Sequence, residues 1–141
     1  MREIPPTAGL PLRGRDLLPG RARPSLAQWL AGLLQAEAVE VTCSGTAALV
    51  VALTALARDS ARREVVMPAY TCPLVAMAVR HCGLVTRVCD LDASGLAMDR
   101  DQLAAVVGAD TLAVVPTYLG GRVHDIGAVL ECAQAAGAWV I

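Results

Sequence analysis

Phenylalanine and lysine are both absent from the 141-residue chain, and aromatic side chains make up only 3% of it. Hydrophobic residues nonetheless reach 55%, so a core has to be assembled from Ala, Val and Leu, which suits helices packed closely on a sheet. All twelve basic residues other than His are arginine, and no chemistry that needs a lysine amine is open to these residues. Twelve basic against thirteen acidic residues leave no excess charge to attract nucleic acid or an anionic membrane, and neither partner is expected. Long apolar runs are missing too. The longest, Thr46 to Ala57, is well short of the ~20 residues that cross a bilayer. Met1 to Gly20 carries Arg2, Glu3, Arg13, Arg15 and Asp16 without an apolar centre, unlike a secretory signal, and a cytoplasmic location is the default. Neither Gly-x-Gly-x-x-Gly nor Gly-x-x-x-x-Gly-Lys occurs, which disfavours the usual dinucleotide and nucleoside triphosphate sites. The five cysteines, Cys43, Cys72, Cys82, Cys89 and Cys132, form no Cys-x-x-Cys pair and lie in apolar segments. They read as reduced, buried thiols, with no metal site.

Proline and glycine are concentrated at the beginning. Pro5, Pro6, Pro11, Pro19 and Pro24, with Gly9, Gly14 and Gly20, mark residues 1–24 as an irregular arm, with the globular part expected over residues 25–141. Ser25 caps a helix whose Leu26, Trp29, Leu30, Leu33 and Leu34 form one apolar stripe by which it should pack. Strands and helices then alternate: Val39 to Cys43 as strand, Thr46 to Arg58 as helix, Glu64 to Met67 as strand, Pro73 to Cys82 as helix. Leu84 to Asp90 reads as strand, Asp99 caps a helix through Val107, Thr111 to Val115 is strand, and Asp125 opens a helix through Ala136. Ala138 to Ile141 begins a last strand, apolar to the final residue, as if the chain stopped in mid-domain. Such alternation predicts βαβ units in an α/β fold with a largely parallel sheet.

One segment points to a ligand. In Val41-Thr42-Cys43-Ser44-Gly45-Thr46-Ala47-Ala48-Leu49 a strand enters a turn of small residues and then a helix. Small residues let the backbone approach a ligand closely, and the N–H groups of a helix start favour phosphate. Ser-Gly-Thr is also good helix capping, so plain capping stays open beside phosphate binding.

The series Ser44-Gly45-Thr46-Ala47-Ala48-Leu49, Glu64 to Thr71 (Glu-Val-Val-Met-Pro-Ala-Tyr-Thr), Gly83 followed by Asp90-Leu91-Asp92, and Val114 to Gly121 followed by Asp125 resembles the DegT/DnrJ/EryC1/StrS sugar aminotransferases. These are pyridoxal-phosphate enzymes of fold type I. The resemblance runs over residues 25–141 and implies a three-layer α/β domain with a mainly parallel sheet, truncated relative to the family's large domain. It implies that the chain is the N-terminal part of an enzyme that moves an amino group, commonly from glutamate, to a nucleotide-linked keto sugar in a homodimer. The cofactor-binding positions it carries over are Gly45, Thr46 and Ala47 for the phosphate of pyridoxal 5′-phosphate, and Cys72 where many members stack an aromatic ring on the pyridine.

This sequence departs from the family pattern at several points. Cys72 cannot stack as a ring does, although its sulfur can lie against a π face. Tyr118 stands where many members have histidine, and it and Tyr70 have a site role or simply cover the sheet edge. The family's Schiff-base lysine and the Asp that pairs with the pyridinium nitrogen both fall after the strand matching Ala138 to Ile141, so no catalytic residue is assigned and the 141 residues are expected to be inactive alone. His81 reads as a solvated residue near a helix C-terminus, and His124 beside Asp125 as a dyad without a nucleophile. The alternatives are a non-catalytic domain that binds a phosphate ligand or a partner, and a related sugar dehydratase. The resemblance further implies that Val39 to Cys43 is detached from, or poorly paired with, a sheet made by the strands that begin at Glu64, Leu84, Thr111 and Ala138.

Overall fold

The computed structural model describes residues 25–95 and 97–141, and the expected irregular arm at residues 1–24 lies outside them. Among the described residues, those up to Val41 and those from Thr42 onward belong to two separate compact units. In the first, α1 (Leu26–Leu34) begins at a capping box: Ser25 Oγ accepts from the Gln28 N–H at 3.2 Å, and the Gln28 side chain accepts from the Ser25 N–H at 2.9 Å. The apolar stripe forms as expected. Leu26, Trp29, Leu33 and Leu34 are all exposed.

The second unit contains α2 (Gly45–Arg58), β1 (Glu64–Pro68), α3 (Pro73–His81), β2 (Val85–Cys89), α4 (Arg100–Val106), β3 (Thr111–Val114), α5 (Gly127–Ala136) and β4 (Trp139–Val140). The four strands make one all-parallel sheet in the order β2-β1-β3-β4. These are the strands expected from Glu64, Leu84, Thr111 and Ala138. Residues 39–43 form no strand, in contrast to the strand read there from the sequence. A strand exists only with a ladder partner, and β1 and β3 already pair on both sides, so this segment has no place between them.

Successive strand residues face opposite sides of the sheet, and the sequence loads both sides with aliphatic groups. On one face Leu53 of α2 and Val79 of α3 pack with Val65, Leu84, Leu112, Ala113 and Val115. On the other, Leu103 of α4 and Val129 and Ala133 of α5 pack with Val66, Cys89, Met98 and Val114. Two consecutive residues, Leu112 and Ala113, join the same cluster because the β1–β3 register shifts there: Glu64 pairs with Thr111, but Val65 pairs with Ala113.

Helix ends follow local chemistry. Asp99 Oδ1 accepts from the Gln102 N–H at 2.9 Å to start α4. Helix α5 ends at Gly137 with φ 65°, the left-handed conformation that glycine adopts without strain. There the Gly137 carbonyl accepts from Arg62 Nη1 at 2.6 Å, and the same nitrogen donates to the Thr111 carbonyl at 3.1 Å. One guanidinium thus ties the end of α5 to the start of β3. Asp125 does not open α5 as expected. It sits one residue before the N-cap Ile126, and its Oδ1 accepts from the Gly127 N–H at 2.8 Å.

The expectation of uniformly buried thiols is corrected as well. Cys43 and Cys72 are exposed, Cys82 and Cys132 half-buried, and only Cys89 is buried; all five are free. Burial beneath α4, reinforced by the carboxylates of Asp99 and Asp90, pushes the Cys89 thiol up to about 11. Its ordinary value lies near 9, so between there and about 11 the unfolded chain has lost a proton that the native chain keeps, and stability falls as pH rises. We expect Cys89→Ala to flatten that alkaline decline in denaturation curves recorded from pH 8 to 11. An unchanged slope would show that Cys89 is not its source.

Candidate functional site

The first turn of α2 is built by its N-cap. Ser44 is extended (φ −163°), its hydroxyl accepts from the Ala47 N–H at 3.1 Å, and its carbonyl accepts from the Thr42 hydroxyl at 2.8 Å. Of the three carried-over phosphate positions, Ala47 therefore has its donor engaged by the cap. The N–H groups of Gly45 and Thr46 remain, together with the Thr46 hydroxyl. No acidic residue lies in this turn, so the positive end of the 14-residue helix is not neutralised locally. Gly45 is exposed, and a Cβ added to it would meet nothing within 4 Å. Packing does not require a glycine there; its absent side chain leaves the turn's backbone open.

Topology brings Cys72 to the same edge of the sheet. Helix α3 follows β1 directly and precedes β2, so it runs back along the sheet from the carboxyl ends of the strands to their amino ends. Helix α2 lies on the same face and feeds β1 through residues 59–63, so its C-terminus is also at the amino ends. The connections therefore run the two helices in the same direction, and a cysteine at the end of α3 touches α2. Cys82, nine positions after Pro73, places its Sγ 3.6 Å from Thr54 Oγ1, nine positions after Gly45, and 3.7 Å from the Val50 carbonyl. Equal offsets at 1.5 Å per residue bring the two helix starts level. Adjacent helix axes lie about 8–10 Å apart, so the Cys72 N-cap faces the Gly45–Ala47 turn across roughly that spacing. Outside the carboxyl ends of parallel strands is where α/β sheets bind ligands.

Cys72 is exposed, and its side chain makes no capping hydrogen bond; its carbonyl accepts from the Val75 N–H at 3.0 Å. Tyr70 is 71% exposed and Tyr118 43% exposed. The Tyr118 ring meets His124 edge-on with centroids 4.9 Å apart. His124 and Asp125 do not form the dyad suggested by their adjacency, because Asp125 is turned to the Gly127 N–H. His81 is exposed at the end of α3.

A contact that sequence reading missed joins two loops at this edge. Thr71 Oγ1 and Thr117 Oγ1 are 2.9 Å apart and half-buried. The signal was present in Pro68-Ala69-Tyr70-Thr71 and Pro116-Thr117, each a proline closing an apolar strand with a threonine just beyond. Only the adjacency of β1 and β3 shows that the two threonines meet. The residues at this edge fit one end of pyridoxal phosphate: open backbone donors for a phosphate and a sulfur for a ring face. They include no amine for its aldehyde.

The signature of the DegT/DnrJ/EryC1/StrS aminotransferase family matches residues 11–141. GDP-perosamine synthase of Caulobacter vibrioides is 31% identical over 102 residues, 72% of this chain and 27% of that protein. Among solved structures, DesI in the presence of its TDP-sugar product superposes with a TM-score of 0.67 at 32% identity, over 81% of this chain and 28% of DesI. Spr1654 from Streptococcus pneumoniae, in its PMP-form, superposes with a TM-score of 0.70 at 26% identity, over 77% of this chain and 27% of that one. The chain thus spans about a quarter of the length of these relatives. Among the described residues, no helix is long and apolar enough to cross a membrane.

Proposed function

The chain belongs to the DegT/DnrJ/EryC1/StrS aminotransferase family, and from that premise we propose that it forms the phosphate-holding part of a pyridoxal-phosphate enzyme that transfers an amino group, with glutamate as donor, to a nucleotide-linked keto sugar. The observation that supports this most is the first turn of α2: two uncommitted backbone donors and the Thr46 hydroxyl, level with Cys72 at the carboxyl edge of a parallel sheet. In the family, pyridoxal phosphate supplies the electron sink that amino transfer requires. The residues here have a narrower task. Gly45 and Thr46 bind the phosphate oxygens through backbone N–H groups, aided by the helix dipole, while Ser44 holds the Ala47 N–H and keeps the turn in shape. Cys72 lays a polarisable sulfur against the ring face. The group that moves the proton is not among these residues, and a second copy of the same protein contributes to the working site.

Thr46→Val keeps the side-chain volume and removes only the hydroxyl. If Thr46 Oγ1 donates to a phosphate, the loss for one charge-assisted hydrogen bond is about 1.5–3 kcal/mol, or roughly 10- to 150-fold in affinity. The expected result is that phosphate titrated into Thr46→Val binds weaker by that factor, with the helix content unchanged. Equal phosphate affinity of variant and parent would remove Thr46 from the site.

A further inference from the structure

Nothing in the Cys72 side chain fixes its position. It makes no capping bond and is exposed, so its placement depends on the backbone on either side. On the helical side, the Cys72 carbonyl is held by the Val75 N–H. On the strand side, the residue immediately before it is Thr71, whose hydroxyl is bonded to that of Thr117 at 2.9 Å. Each of these loops leaves a strand that is itself fixed. The Ala69 N–H donates to the Cys89 carbonyl at 2.8 Å, and the Val115 N–H donates to the Val66 carbonyl at 2.8 Å. Between those last ladder bonds and the start of α3, the Thr71–Thr117 pair is the side-chain bond recorded between the two loops among the described residues. One hydroxyl donates and the other accepts, and both are half-buried, so water replaces the bond only in part when one partner is lost.

We infer that Thr117 is a positioning residue that acts through Thr71 to hold the Cys72 sulfur over the pyridine ring of the bound cofactor. This rests on the reading of the α2 turn as the phosphate site. It adds that the loop after β3 decides how well the ring, as distinct from the phosphate, is held. Two probes separate these parts: inorganic phosphate, which needs only the α2 turn, and 4-deoxypyridoxine 5′-phosphate, which adds the ring without an aldehyde that reacts with amines.

The experiment titrates both probes into the 141-residue chain and into Thr117→Val and Thr117→Ser. It also follows alkylation of Cys72 and Cys43 by iodoacetamide with peptide mass spectrometry. Losing one neutral hydrogen bond corresponds to a change of roughly 2- to 12-fold. Thr117→Val is expected to weaken the pyridine compound by that factor and leave inorganic phosphate within twofold. The alkylation rate of Cys72 should change by several-fold while that of Cys43 stays constant, and Thr117→Ser, which keeps a hydroxyl, should restore parental behaviour in both assays. Equal weakening of both probes would show a general structural defect and overturn the inference, as would an unchanged Cys72 rate in Thr117→Val. If the parent chain binds neither probe, the phosphate reading of the α2 turn fails and the inference falls with it; if the parent binds both and Thr117→Val leaves the pyridine compound unaffected, the inference alone is overturned.

Discussion

Mixed with pyridoxal phosphate and reduced with borohydride, the purified 141-residue chain is expected to yield no stoichiometric covalent adduct, and with glutamate and a keto-sugar acceptor no amino transfer. The reason is compositional. A Schiff base needs a primary amine, and with no lysine present the only one is the N-terminal amino group. In fold type I chemistry a lysine amine both anchors the aldehyde and carries the proton, so without it the reaction is removed rather than slowed. The assay is peptide mapping after reduction, together with absorbance in the aldimine region. A single fully occupied adduct at any internal residue, or turnover by the chain alone, would overturn the assignment of Gly45–Ala47 to a partial site. Binding is a separate matter, because on the proposed reading the phosphate end of the cofactor needs only the α2 turn.

The second large effect concerns the attachment of that turn to the sheet. Leu53 is the one buried residue of α2, with 0% of its surface exposed, and it packs with Val65, Val79, Leu112 and Ala113. Truncation to Ala removes the methyl groups that seat α2 on β1 and β3 and leaves a cavity that the neighbouring β-branched side chains cannot close by rotation. The expected cost is about 2–5 kcal/mol. Val51, two residues earlier and 52% exposed, is the control, and Val51→Ala should stay within about 0.5 kcal/mol. Urea denaturation of the two variants measures the difference. A Leu53→Ala cost below 1 kcal/mol would mean that α2 is not seated by this residue. Because α2 also carries Gly45 and Thr46, phosphate affinity should fall in Leu53→Ala wherever the helix is partly undocked, although no residue of the turn has changed.

The local devices were legible in the sequence because they operate over a few positions. Ser25 with Gln28, Ser44 with Ala47, Asp99 with Gln102 and Gly137 at the end of α5 each satisfy backbone groups three or four residues away, and side-chain chemistry alone identifies them. Alternation of apolar strands and helices was enough for a parallel α/β sheet. Of the candidate site, the Gly45–Ala47 turn was equally legible, since its small residues and the helix start lie in one continuous segment.

What the sequence left undecided depends on partners distant in the chain. Val39 to Cys43 has the apolar content of a strand, yet a strand is defined by its ladder, and β1 and β3 are already paired on both sides. The cysteines all lie in apolar segments, but exposure is set by which helix covers them: α4 seals Cys89, while Cys43 and Cys72 sit beyond the helix starts. The level start of α2 and α3, the meeting of Thr71 with Thr117 across 46 positions, and the tie from Arg62 to Gly137 across 75 each follow from strand order. The sequence by itself determined where most helices and strands begin and end, and it marked Gly45–Ala47 as the candidate phosphate turn, because those readings depend on contiguous backbone. Tertiary structure alone decided which side chains share that edge, because parallel strands become neighbours through crossovers whose order no local pattern encodes.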